Sequence, residues 1–392
     1  MSASHSIPVR SEAGGHVSIE NRPWITHEIA KRSRTVPAYA YLTLPYVVAS
    51  TLFIGYALGG LWNFLSVGFI FGIVPVLDAL GGLDSRNPDD SEMRVLAERK
   101  VFRWLTWIWV PVQLGTVVWG AWVAASDQLE GLSWLGFTLS TGLITGSLGI
   151  NLAHELGHKP NRFEQFLAKL LLFTVSYMHF FIEHNRGHHV HVSTPRDPAS
   201  SRRGESLYAF LPRTLLGSYK SAWALEKRRL KKSHLPLWSI HNDMLTFTLL
   251  PIAFALALGL AFGPWAGAFF VLQSGVAVML LETINYIEHY GLEREKKEDG
   301  RYERVNHLHS WNSNYWLTNI FLFMLQRHSD HHANPMRRYQ TLRHFEESPQ
   351  LPLGYGSMVL LALVPPLWRR VMDPRVDAFR RRLKGERVEG CG

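Results

Sequence analysis

Long apolar runs alternate with strongly charged segments along this chain, and the alternation predicts its architecture. Six runs, at about 38–60, 62–81, 103–125, 132–153, 244–262 and 265–287, each approach the ~20 apolar residues that a helix needs to cross a bilayer. They pair as hairpins, with short connections near Gly60 and Leu61, between Ser126 and Gly131, and at Gly263 and Pro264. The pattern predicts an all-α integral membrane protein with six transmembrane helices and a helical, histidine-rich catalytic part. It reads as a single domain: a leader at 1–37, spans from 38 to 287 interrupted by a polar segment at 154–243, and a tail at 288–392. A further apolar run at 166–182 is short and contains Lys169 and His179. It is expected to be a helix buried outside the membrane or lying at its interface, not a seventh span.

Charge orients this arrangement. The formal net charge is +9, and the basic residues fall next to apolar runs, so a nucleic-acid reading is weak. Arg10, Arg22, Lys31, Arg32 and Arg34 precede the first span; Arg86, Arg94, Arg99 and Lys100 follow the second. The 154–243 segment and the tail are also basic, whereas the hairpin connections hold no Lys or Arg. The positive-inside rule then places every basic segment, and both termini, in the cytoplasm. The basic stretch Glu226–Lys232 reads as a solvated face or as a patch for an acidic partner or anionic lipid. The single cysteine, Cys391, excludes intrachain disulfides, a multi-thiolate zinc site and a resident iron–sulfur cluster. No cleavable signal pattern precedes the first apolar run.

Candidate chemistry lies where the spans end. Three histidine boxes occur: His154-Glu155-Leu156-Gly157-His158, His184-Asn185-Arg186-Gly187-His188-His189, and His328-Ser329-Asp330-His331-His332. His289 stands alone between the last two. Together these are nine of the chain's 19 histidines, all on the side that charge assigns to the cytoplasm. In a regular helix His184 and His188 would lie one turn apart on a shared face. The first box matches the HExxH zinc-peptidase pattern, with Glu155 as base. The histidine count argues otherwise, because a catalytic zinc takes about three protein ligands. Nine imidazoles suit two metals with four or five ligands each, and imidazole alone does not choose among iron, copper, nickel and zinc. A site beneath apolar helices receives substrate from lipid, and activating oxygen against a C–H bond is a task for redox iron.

The boxes carry a resemblance as well. NLAHELGHK at 151–159, FFIEHNRGHH at 180–189, NYIEHYG at 285–291 and LQRHSDHHA at 325–333 resemble the signature boxes of the alkane 1-monooxygenases (AlkB-type), within the membrane fatty-acid desaturase and hydroxylase superfamily. NYIEHYG separates that branch from the desaturases; HSWNSN at 309–314 and RRYQTLR at 337–343 also look like family stretches. The resemblance runs from about residue 40 to 375 and implies a non-haem di-iron enzyme of the bacterial inner membrane. Such an enzyme hydroxylates the terminal methyl of medium-chain alkanes with dioxygen. Its electrons come from rubredoxin, reduced by an NADH-dependent reductase. Carried over residue by residue, the two iron ions fall to His154, His158, His184, His188, His189, His289, His328, His331 and His332, with the split between them unreadable. His309 is similar to a family position and is expected beside the metal site or on the partner surface; His179, His191 and His307 are read as ordinary histidines.

Metal-bound imidazoles usually donate their second N–H to a carboxylate or carbonyl, so Glu155, Glu183, Glu282, Glu288 and Asp330, with Asp197 nearby, are candidate orienters. The substrate is expected to arrive between the helices. Stepping back from His154 by four, seven and eleven residues gives Ile150, Ser147 and Leu143 as a channel face; the alternative for small residues such as Ser147, Gly146 and Gly149 is close helix packing. The rival functions are an acyl desaturase or hydroxylase with the same metals, a membrane zinc peptidase, and a metal transporter. A transporter calls for ionisable groups within the spans, and these spans hold few, chiefly Asp78 and Glu282.

Overall fold

A computed structural model describes residues 38–385, in which every regular element is helical. In chain order the helices are α1 (Ala38–Leu58), α2 (Gly60–Gly81), α3 (Asp90–Glu98), α4 (Val101–Ala125), α5 (Gly131–Gly157), α6 (Arg162–Phe173), α7 (180–191), α8 (Leu207–Lys232), α9 (Asp243–Phe262), α10 (Pro264–His289), α11 (Trp316–Phe321), α12 (His328–Ala333), α13 (Tyr355–Ala362) and α14 (Pro365–Leu383). The leader arginines and Cys391 lie outside the described residues.

Five helices, α2, α4, α5, α9 and α10, are long and apolar enough to cross a membrane, and they coincide with five of the six expected spans. The apolar part of α1, Thr43–Leu58, is shorter. Burial separates inner from outer helices. The apolar window of α5 is 78% buried, whereas that of α9 is 17% buried and leaves Leu256 and Leu260 bare. Bare aliphatic faces of this size suit lipid rather than water. At the centre α10 packs against α4, α5, α8, α9 and α13. Glycines let α5 approach it: a Cβ on Gly146 would lie 2.9 Å from Ala277 Cα, and one on Gly142 would meet Gln273 O at 2.7 Å.

The run at 166–182 does not form a span. Helix α6 has 12 residues, about 18 Å of rise against a core of about 30 Å. It buries Leu167, Ala168, Leu171 and Leu172, sets Lys169 4.7 Å from the Phe181 ring, and ends in a turn with Ser176 at φ 53°. A buried polar chain ties this turn to the bundle: Gln113 Nε2 donates to Thr174 Oγ1 (2.7 Å), Gln273 Nε2 to Thr174 O (2.8 Å), and Thr145 Oγ1 to Gln273 Oε1 (2.9 Å). Polar atoms without water nearby must find one another in this way.

Three stretches depart from the regular helix into π-turns: Phe69–Ile73, Thr145–Ile150 and His184–His188. Such turns bond i to i+5 and rotate the remainder of the helix about its axis. The last two lie just before the first histidine box and within the second.

Candidate metal centre

All nine box histidines converge, although they come from α5 and the residue just past its end, and from α7, α10 and α12. They form two groups. His154, His158, His184, His189 and His331 make one; His188, His289, His328 and His332 make the other, with the candidate donor atoms of each group within 4.8 Å of one another. The π-turn explains a partition that a regular helix would not give. His184 and His189, five residues apart, bring their Nε2 atoms to 3.0 Å, while His188 passes to the second group, its Nε2 3.3 Å from that of His332. The rings of His184 and His188 stack, 5.2 Å between centroids, yet they belong to different groups. The turn is tight at Gly187, where a Cβ would lie 2.4 Å from Glu183 Oε1.

The donor set fits metal ions. Nε2–Nε2 separations of 3.1 Å (His158–His184), 3.3 Å (His289–His328) and 2.9 Å (His328–His332) match the ~3.0 Å edge between cis ligands about 2.1 Å from one centre. Buried nitrogens also lack any other partner among the described residues: His154 Nε2 and both ring nitrogens of His331 have none. Such orphans call for an explanation, and a shared cation supplies it. Burial, reinforced by repulsion from neighbouring imidazoles, holds His158, His184, His189, His328, His331 and His332 well below the usual histidine range. They are thus neutral, the form that ligates.

Support around the two groups is unequal. In the four-histidine group, His188 Nδ1 lies 2.8 Å from Asp197 Oδ2, a carboxylate that also accepts from Ser200 Oγ at 2.6 Å. Burial pulls the His188 pKa down, but the charge and hydrogen bond of Asp197 outweigh it, and the net shift is upward. His289 Nδ1 lies 3.5 Å from Ser310 Oγ, and Glu288 Oε2 lies 3.1 Å from His328 Nε2 while Tyr355 donates its hydroxyl to the other oxygen. Of the candidate orienters, then, Asp197 holds the second nitrogen of a box imidazole, whereas Glu288 meets His328 at Nε2, the nitrogen that faces the other rings of its group.

The others do not reach a box imidazole, and helix geometry gives the reason: neighbours in sequence point about 100° apart on a helix, so a carboxylate beside a ligand faces elsewhere. Glu155 accepts from Lys159 Nζ (3.0 Å) and the Tyr339 N–H (3.3 Å). Asp330 accepts from Arg337 (2.6 Å) and the Arg343 N–H (2.8 Å). Glu282 accepts from Tyr177 (2.8 Å) and Thr214 (2.7 Å). Glu183 is pushed up to about 8, first by burial and then by the Asp197 charge. The His309 side chain pairs with Glu303 at 3.1 Å. His179, His191 and His307 join neither group.

Two familiar-looking stretches act as clamps. In RRYQTLR, Arg337 grips Asp330 of the third box, its carbonyl accepts from Lys159 of the first (2.8 Å), and Arg338 holds Glu164 (3.0 Å). In HSWNSN, the Trp311 N–H donates to Glu288 O (2.8 Å), and Asn312 exchanges side-chain bonds with Ser329 (2.7 and 2.9 Å).

Above the histidines lies a cavity of about 120 Å³. His154, His184 and His328 line it with Glu288, and its wall is mostly aliphatic and aromatic, including Val48, Ile70, Val74, Leu281, Phe321 and Val359. Ser147 lines it, as do Gly146, Leu148 and Asn151. Leu143 and Ile150 are not among the lining residues, which corrects the expected channel face. Ser147 lies within the π-turn Thr145–Ile150, and Leu143 lies before it.

The family model for fatty acid desaturases matches residues 132–361, which contain all three boxes and His289. Over 321 residues the chain is 52% identical to alkane 1-monooxygenase 1 of Pseudomonas aeruginosa, covering 81% of this chain and 84% of the relative. The chain belongs to the alkane 1-monooxygenase family. Alkane 1-monooxygenase 2 of the same organism is 49% identical over 321 residues (81% and 85%), and alkane 1-monooxygenase 1 of Alcanivorax borkumensis is 41% identical over 371 residues (94% and 88%). As a member of this family the chain is an oxidoreductase, a membrane protein with histidine clusters suited to a non-haem metal site. In the first box, Lys159 and Tyr339 both engage one oxygen of the Glu155 carboxylate.

Proposed function

We propose that the chain hydroxylates the terminal methyl of medium-chain n-alkanes, giving 1-alkanol and water from alkane, dioxygen, two electrons and two protons. The observation that carries this reading is an apolar cavity ending on two histidine groups, in a chain with alkane 1-monooxygenase relatives. Two irons, one held by His154, His158, His184, His189 and His331 and the other by His188, His289, His328 and His332, would supply the oxygen chemistry.

The residues of the chain do the rest. The aliphatic wall takes up the alkane, each buried CH₂ contributing about 0.8 kcal/mol, and excludes water from the reacting end. Asp197, on Nδ1 of His188, fixes that ring's tautomer and leaves Nε2 free as a donor. Glu288 and Tyr355 fix the wall beside His328. Six spans, counting α1, bring both termini and the histidines to the cytoplasmic side of a bacterial inner membrane, where rubredoxin, reduced by an NADH-dependent reductase, delivers electrons. The described residues contain no cysteine that could hold an iron–sulfur relay, so the electrons enter from outside them.

The test is turnover of n-octane under ¹⁸O₂ by purified protein with rubredoxin, reductase and NADH. The reading predicts 1-octanol carrying one labelled oxygen. Desaturated acyl chains from an acyl substrate, with no octanol from octane, would establish the desaturase reading instead.

A further inference from the structure

One side chain in the cavity wall is unsuited to an alkane. Gln326 is fully buried, lines the cavity two residues before His328, and has no hydrogen-bond partner among the described residues for either its amide nitrogen or its amide oxygen. Ser147 Oγ on the same wall also lacks a partner among the described residues, while Asn151, Asn285, Thr318 and Glu288 are engaged. Asn151 Nδ2 donates to Leu322 O (2.7 Å), Asn285 Nδ2 donates to Glu282 (3.3 Å), Thr318 donates to Asp78, and Glu288 accepts from Tyr355. A buried polar group without a partner costs about 1–3 kcal/mol. An alkane offers nothing to an amide, whereas a hydroxyl donates once and accepts twice, matching both ends of it.

We propose that Gln326 binds the hydroxyl of the 1-alkanol: its carbonyl oxygen accepts the O–H, and its NH₂ donates to the hydroxyl oxygen. This inference rests on the alkane-hydroxylation reading and adds a product subsite to it. Gln326 shares the cavity wall with His154, His184 and His328, so the subsite lies at the end where the terminal carbon is oxidised. Because the amide is satisfied by product and not by substrate, the cavity favours the alcohol, and 1-alkanol competes with alkane. A buried water on Gln326 is the competing occupant, since a water also needs two or more polar partners.

The experiment measures dissociation constants of n-octane, 1-fluorooctane and 1-octanol for the metal-loaded full chain in nanodiscs, by displacement of radiolabelled octane. The wild type is expected to bind 1-octanol at least tenfold more tightly than octane or 1-fluorooctane, which cannot donate. In Gln326→Met, similar in length but without the amide, that preference is expected to fall about tenfold. Two results overturn the proposal. One is equal binding of the three ligands by the wild type, which needs no variant and would leave the alkane reading intact. The other is an undiminished preference for octanol in a folded Gln326→Met protein, which would place the hydroxyl elsewhere. Failure to bind octane or octanol at all would sink the alkane reading together with this one.

Discussion

The two histidine groups differ in how they are held. The five-histidine group has more donors but less support: His158 and His189 are partly exposed, and among the described residues His154 Nε2 and both His331 nitrogens have no partner and no carboxylate is hydrogen-bonded to the rings. The four-histidine group has fewer donors, all buried, with Asp197 on His188 and Glu288 beside His328. One site relies on ligand number and the other on fixed orientation. A site with four donors and a rigid surround tolerates the loss of a ligand less well than one with five.

The largest effect should come from removing a donor on the poorer side. His188→Ala is expected to abolish hydroxylation and to leave about one iron per chain. His158→Ala, which leaves four donors in its group, should retain more than one. Iron and activity assays on the pair check this, and equal losses would break the distinction between the groups. Next in size is Asp197→Asn, which removes the charge but little volume. Loss of such a partner costs about 10–100-fold in metal affinity, so a chelator competition should strip one iron at correspondingly lower chelator concentration and leave the other unchanged.

The sequence made the donors legible but not their division. Histidine spacing marked eight of the nine clustered histidines and the family resemblance added the lone His289, while hydropathy marked the helices that carry them. The partition into five and four was not legible: it depends on the π-turn at His184–His188, whose residues form no pattern that distinguishes i+5 from i+4 bonding. Of the channel face read from His154, Ser147 lines the cavity and Leu143 and Ile150 do not. Carboxylates beside ligands looked like orienters, yet Asp197, eight residues beyond His189, is the one that holds a ring from another turn of chain. Gln326 went unnoticed because an amide inside a box is conspicuous only once its missing partners are known.

A smaller effect is expected in the cavity. Ser147→Trp should obstruct the wall at the level of Gly146 and Ser147, so relative rates across a series of alkane lengths should fall for long chains and persist for short ones. A uniform fall at every length would assign Ser147 to helix packing, alongside Gly146 and Gly142. The smallest effect concerns electron delivery. Attraction between a basic surface and an acidic donor is screened with a Debye length of about 10 Å at 0.1 M salt, so the rubredoxin-supported rate should decline gradually as salt rises; a flat response would argue against charge-steered docking.

The central claim is that nine imidazoles hold two irons in unequal sites. Elemental analysis of the purified, metal-replete chain tests it most directly. Two irons per chain is the predicted result, and a single zinc per chain, with no iron, would contradict it.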